Sequence, residues 1–293
     1  MPIKREYFYD LDSRGTLFLD GVEQDDPVFL DFMFRRLAPT ANPDYPEWPW
    51  VCRCGDEMNY LRPAGTALVF SRFDGSRLYY SPSLSVVFDP TQLSFSDDGV
   101  LYHRSPVGEV GRIVPSVAVE LAANIRPWGP WYAFYRSVTQ DIVPFGPRVE
   151  DPNLSLLRPR SDNECVGCGE ANPHSFRLTF LVDRTTSSVR TWITPDRRMK
   201  GAMTTTHGGY VSLLLDETMG KVLSALSIKA PTARLEVSFR KPMLLGHEHV
   251  VSAELRRSEG RKHWLVGQIR RTDDNVVVAE AEGLFVVPRA AHS

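Results

Sequence analysis

The sequence predicts an α+β protein whose C-terminal half wraps an antiparallel sheet around one long helix, with a separate small α+β domain ahead of it. Three observations predict this. In HGGYVSLLLDETMGKVLSAL, Val211, Leu214, Leu215, Val222 and Leu223 recur at three- and four-residue intervals, the spacing of an amphipathic helix. Downstream, PTARLEVSFRKPM, HEHVVSAELRR, KHWLVGQIRR and NVVVAEAEGLFVVP alternate in part and are enriched in β-branched or aromatic residues. Turns containing Gly, Ser or Asp separate them, as they separate consecutive antiparallel strands. A chain of 293 residues is also long enough for two domains.

Each element follows from its residues. Ahead of the helix, HSFRLTFLVD and SSVRTWITP read as one or two further strands joined by a turn at Arg184–Ser188. In residues 1–125 a hairpin is expected from Arg5 to Asp12, through Ser13-Arg14-Gly15, to Thr16–Gly21. A helix is expected near Pro27–Leu37, and short strands around Ala67–Phe73, Arg77–Tyr80, Ser85–Phe88 and Val100–His103, with turns at Asp74-Gly75 and Asp98-Gly99. Residues 126–160 are rich in proline and aromatic residues, including Trp128, Trp131, Tyr132, Phe134 and Tyr135. They read as a linker that packs on a surface, because free tethers lack aromatics. The predicted organisation is therefore 1–125, a linker at 126–160, and 161–293.

The chemistry concentrates at the start and middle of the long helix. Gly208 and Gly209 lack Cβ and admit a close approach to the backbone, and the first N–H groups of a helix have no internal acceptor. Those donors, with the positive end of the helix dipole, suit an oxyanion, and the Gly209 N–H is the candidate donor. Asp216 sits mid-helix beside leucines, where a carboxylate calls for a partner or a catalytic task. It lies about 13 Å along the helix from His207 at about 1.5 Å per residue, so action on a carbonyl at the helix start requires the partner copy of a two-fold dimer. A carboxylate there serves either as nucleophile or as general base toward water. His207 reads as the residue that fixes the glycine turn by hydrogen bonding. Glu217, about 100° further round the helix, is assigned to a structural or substrate-binding contact.

The C-terminal half, about residues 161–288, resembles the hotdog-fold acyl-CoA thioesterases of the PaaI-like group. The resemblance rests on several motifs. They are Cys165-Val166-Gly167-Cys168-Gly169 with Asn172-Pro173, His207-Gly208-Gly209, Asp216-Glu217 with Met219-Gly220, Thr232–Val237, and Arg240-Lys241-Pro242. It implies that Asp216 is the nucleophile or general base, that the Gly209 amide polarises the thioester carbonyl, and that Thr232 places the attacking water. It also implies a homodimer or tetramer with sites at the dimer interface, acyl-CoA as substrate, and no metal or organic cofactor. One departure stands out. Many relatives carry Asn, Gln or Glu shortly before His-Gly-Gly, whereas Arg198–Thr206 here holds none. The alternative reading is a non-catalytic acyl-CoA-binding or dimerisation protein.

Residues 5–122 resemble a family of short proteins of unassigned function, through Arg5–Tyr9, Gly15–Asp20, Phe34–Leu37 and Cys54–Arg62. Cys54-Gly55, Glu57, Asn59 and Arg62 form a polar cluster after Trp48-Pro49-Trp50, readable as a ligand site or as a capped, salt-bridged loop.

Charge divides the chain: residues 1–150 hold 14 Lys+Arg against 20 Asp+Glu, and residues 151–293 hold 20 against 16. Arg240-Lys241, Arg256-Arg257, Arg261-Lys262 and Arg270-Arg271 fall near strand ends, where they can meet the phosphates of CoA, with Lys241 the best placed. A pI near 6.4 and the lack of a basic–aromatic motif argue against a nucleic-acid partner. The cysteine pairs Cys52-x-Cys54 and Cys165-x-x-Cys168 are not expected to share a zinc ion, because C-x-C is a tight spacing and the pairs fall in different modules. Disulfides are not expected either, as no secretory signal is read. No run approaches 18 apolar residues, so no membrane span is expected. A cytoplasmic location is expected, with a mitochondrial one as the alternative.

Overall fold

The apolar stripe of the predicted helix forms the core of the C-terminal half. In the computed structural model, which describes residues 5–149 and 151–289, the helix runs Gly208–Ala225. It buries Val211, Leu214, Leu215, Thr218, Met219, Val222 and Leu223. Ser227 at φ 60° and the Ile228 N–H closing on Leu223 O at 2.8 Å terminate it as a left-handed C-cap.

Seven strands curve over this helix in the order Leu154–Leu157, Phe180–Asp183, Ser188–Ile193, His249–Glu259, Lys262–Arg271, Val277–Val286 and Thr232–Phe239, every neighbour antiparallel. This is the hotdog fold. Gly283 is required for the close approach, because a Cβ there would lie 3.1 Å from the Met219 sulfur and 2.8 Å from the Phe285 ring. Thr232–Phe239 closes one end of the sheet. Its residues are exposed or half-buried, and among the described residues its only strand partner is Val277–Val286.

Described by itself, the N-terminal unit holds a six-stranded sheet in the order Val22–Gln24, Leu17–Leu19, Arg5–Leu11, Glu57–Pro63, Trp50–Cys54 and Ala38–Pro39. The predicted hairpin forms, with Tyr9 opposite Leu19. The helix spans Pro27–Arg35, its first N–H groups capped by the Asp26 side chain. The loop expected at 54–62 is instead a β-hairpin with Cys52 opposite Asn59, and Glu57–Pro63 also pairs in parallel with Arg5–Leu11. The hairpin packs on both faces. Leu61 and Cys52 enter the main core, while Val51, Met58 and Tyr60 pack with Phe8, Tyr45 and Trp48, and such strands lose the alternation that reveals them. The helix Pro115–Ala122 was also not expected; it is eight residues long and its N-cap, Val114, makes no side-chain cap.

Among the described residues, 5–127, 131–136 and 143–149 gather into one compact unit, and 128–130, 137–142 and 151–289 into the other. The stretch expected as a linker thus carries regular structure, including the strands Trp131–Arg136 and Leu154–Leu157. Phe134 and Phe145 are buried in the N-terminal core. Met1–Lys4, part of the predicted strand-like start, lie outside the described residues. Among those residues no helix is long and apolar enough to cross a membrane.

Candidate active site

The loop before the helix holds His207 at the N-cap. Its N–H donates to Met199 O at 2.8 Å, and the Thr206 N–H donates to Met243 O at 2.8 Å. The His207 carbonyl accepts from the Tyr210 N–H at 2.9 Å and the Val211 N–H at 3.3 Å. Its side chain turns back so that Nδ1 accepts the Gly209 N–H at 3.0 Å. The accepting nitrogen carries no proton, so the neutral ring is protonated on Nε2. His207 therefore fixes the glycine turn, but the Gly209 N–H is not the free donor expected of it. The Gly208 N–H has no acceptor among the described residues. A Cβ at 209 would come within 3.1 Å of the His207 ring, which is why a glycine stands under it. Phe176 meets Tyr210 edge-on at 5.4 Å, with Arg198 above the Phe176 ring, so the 198–206 loop and the 163–178 segment both flank this end.

Asp216 departs from the expected setting in one respect: it is half-buried, not enclosed among the leucines. The helix turns it toward the sheet edge, where Oδ1 accepts a hydrogen bond from Thr232 Oγ1 at 2.7 Å. The structure brings Asp216 and Thr232 together. His207, Gly208 and Gly209 lie two turns away on the same helix, as the spacing requires.

Glu217 points elsewhere. Its carboxylate lies 3.1 Å from Lys221 Nζ and accepts from the Cys165 thiol at 3.4 Å, while Lys221 Nζ donates to Cys168 Sγ at 2.9 Å. Burial pushes the Cys168 thiol up to about 12, with Glu217 adding to the rise. Lys221 is held above the usual lysine range although burial opposes its charge, because the Cys168 and Glu217 partners outweigh it. Lys221 was missed by sequence reading; its i,i+4 spacing from Glu217 was the available signal.

Arg240 lies away from both groups. It pairs with Glu280 at 3.0 Å, and Glu280 also accepts from Gln268, whose neighbour Gly267 faces the helix; Arg240 thus stands on the outer face of the sheet. Lys241 follows it, exposed. Of the other basic pairs, Arg257 covers the Trp264 ring at 4.0 Å and Arg271 is paired with Asp273 and Asp274.

Comparison with known proteins places both halves. Residues 203–278 match the thioesterase superfamily, and residues 1–128 match a domain of unknown function, DUF4505. The acyl-coenzyme A thioesterase THEM4 of Bos taurus is 30% identical over 215 residues, 70% of this chain and 87% of that protein. THEM4 of Xenopus laevis is 33% identical over 92 residues, covering 31% of this chain and only 41% of the frog protein. A crystal structure of a thioesterase superfamily protein shares 28% identity over 42% of this chain and 60% of its own, with a TM-score of 0.40. With the bovine protein matched over most of its length, this chain belongs to the thioesterase superfamily.

Proposed function

We propose that this chain is an acyl-CoA thioesterase, hydrolysing the thioester to free acid and CoA thiol, with Asp216 as the reacting carboxylate. The observation that carries the reading is the Asp216–Thr232 hydrogen bond of 2.7 Å at the open edge of the sheet. It is supported by family membership and by the THEM4 relatives.

The Thr232 hydroxyl donates to Oδ1 and keeps lone pairs with which to accept a water proton. This arrangement favours general-base catalysis over direct attack by the carboxylate. Asp216 then draws a proton from water, the water oxygen adds to the carbonyl carbon, and the thiolate leaves and takes the proton back. The developing oxyanion rests on the helix start, where the Gly209 N–H, shared with His207 Nδ1, stands beside the Gly208 N–H. The exposed Lys241 serves the CoA phosphates better than Arg240, which is tied to Glu280.

One chain holds the two parts of this site two helical turns apart, so a second copy must supply one of them. The strand Thr232–Phe239 offers an edge unpaired among the described residues for antiparallel addition about a two-fold axis, and Phe239, 57% exposed, is a contact for it. Release of free thiol from short, long and aromatic acyl-CoAs tests the activity. Asp216→Asn should abolish it while leaving fold and dimer intact; full turnover in that variant, or by a monomer in light scattering at assay concentration, would refute the mechanism. A second reading, acyl-CoA binding without turnover, is favoured by the missing Asn, Gln or Glu in Arg198–Thr206. It predicts saturable binding of acyl-CoA with no thiol released from any of them.

A further inference from the structure

Residues 163–169 fold into a tight turn over the long helix. Asn163 Oδ1 accepts the Cys165 N–H at 3.0 Å, and the Gly169 N–H closes on Cys165 O at 2.8 Å. Both glycines are sterically required. A Cβ at 169 would fall 2.1 Å from Asn163 O, and one at 167 would fall 2.9 Å from Glu217 Cγ. The turn brings the two sulfurs and a Glu217 carboxylate oxygen within 4.8 Å of one another, with Cys168 4% exposed and the Glu217 side chain 17%.

Donors converge on these sulfurs. The Gly167 N–H reaches Cys165 Sγ at 3.3 Å; Lys221 Nζ and Asn163 Nδ2 reach Cys168 Sγ at 2.9 and 3.6 Å. A thiol is a weak acceptor, whereas a metal-bound thiolate is steadied by such a shell. Among the described residues Glu217 Oε1 is buried without a hydrogen-bond partner, its Lys221 contact being an ion pair without hydrogen-bond alignment. Two thiolates and one carboxylate against one ammonium leave two negative charges, which a divalent cation neutralises.

We propose that Cys165, Cys168 and Glu217 bind a divalent cation of the zinc class, with Lys221 as the outer partner of the Cys168 sulfur. Two sulfurs and one oxygen suit a borderline-soft ion at about 2.3 Å from sulfur and about 2.0–2.2 Å from oxygen, and water completes a tetrahedron. The metal's task is to fasten the 163–169 turn to the helix; it takes no part in the thioester reaction. The site stands whether or not Asp216 is catalytic. Among the described residues no third ligating side chain joins Cys52 and Cys54, which share one face of the strand Trp50–Cys54, and Cys52 is fully buried in the other unit's core.

The test uses the full chain, reduced and stripped of metal, titrated with cobalt(II) and then zinc(II). One cobalt per chain should bind, with sulfur-to-cobalt charge-transfer bands and tetrahedral ligand-field bands, and zinc should displace it. Cys165→Ser and Cys168→Ser should each reduce the charge-transfer bands to about half or less, Cys54→Ser should keep them in full, and Lys221→Met should weaken binding about 10–100-fold. In the unmodified chain, zinc should slow alkylation of Cys165 and leave Cys54 unaffected, as mapped by mass spectrometry; this readout needs no variant to fold. Absence of thiolate–cobalt bands in the unmodified chain, unchanged Cys165 alkylation under zinc, or bands undiminished in Cys165→Ser would overturn the proposal.

Discussion

Asp216 and Glu217 are adjacent carboxylates on one helix, and about 100° of rotation gives them different surroundings. Asp216 faces the open sheet edge, and among the described residues its side chain holds a single hydrogen bond, from an exposed threonine. Glu217 faces inward to an ammonium, a thiol and a turn whose glycine leaves room for it. The difference teaches that neighbouring acids of like charge divide their tasks by what the circumference of the helix meets. A carboxylate with a free oxygen and access to water can move a proton; one enclosed by partners fastens structure.

This division can be broken by experiment. The largest effect is expected at Asp216, where Asn should lower kcat by about 10²–10⁴-fold with an unchanged melting temperature. Glu217→Ala should do the reverse. It strips Lys221 and Cys165 of a buried partner and should cost about 2–3 kcal/mol in denaturant unfolding, with turnover reduced less than about tenfold. Equal loss of activity in both variants would erase the contrast.

Smaller changes sharpen it. Thr232→Val deletes one hydroxyl from the Asp216 face and should lower kcat about tenfold without moving stability. His207→Ala removes the helix N-cap and should cost about 1 kcal/mol, measured by chemical denaturation. The smallest effect is on pH. Burial holds His249 and His103 below the usual histidine range, so the unfolded chain binds protons that the folded chain refuses. Stability should be fully present above about pH 6.5 and fall as pH drops through the interval below it. Thermal midpoints between pH 8 and pH 5 check this, and a rise on acidification would contradict it.

The hotdog half was legible because its signals are local. The spacing of Val211, Leu214, Leu215, Val222 and Leu223 marked the helix, and the four long strands carry β-branched alternation up to their turns. The Asp216–Thr232 contact was reachable only through the family resemblance, since sixteen residues and a change of element separate the two. The Glu217 cluster was not legible. Its members come from a turn and a helix 52 residues apart, and only the Glu217–Lys221 spacing lies within one element. In the N-terminal unit, Trp50–Cys54 and Glu57–Pro63 escaped notice because both faces are buried, and polar Asn59 is satisfied there by the Cys52 carbonyl.

Leu154–Leu157 sits at the margin of the seven-stranded sheet, outside the boundary at 161 that the residue pattern suggests. A fragment cut at 161 would lose that strand and bare the backbone of Phe180–Asp183, whose Phe180, Leu181 and Val182 are buried in the intact chain. An apolar strand left unpaired is a seed for aggregation, so excision of the C-terminal half should begin upstream of Leu154.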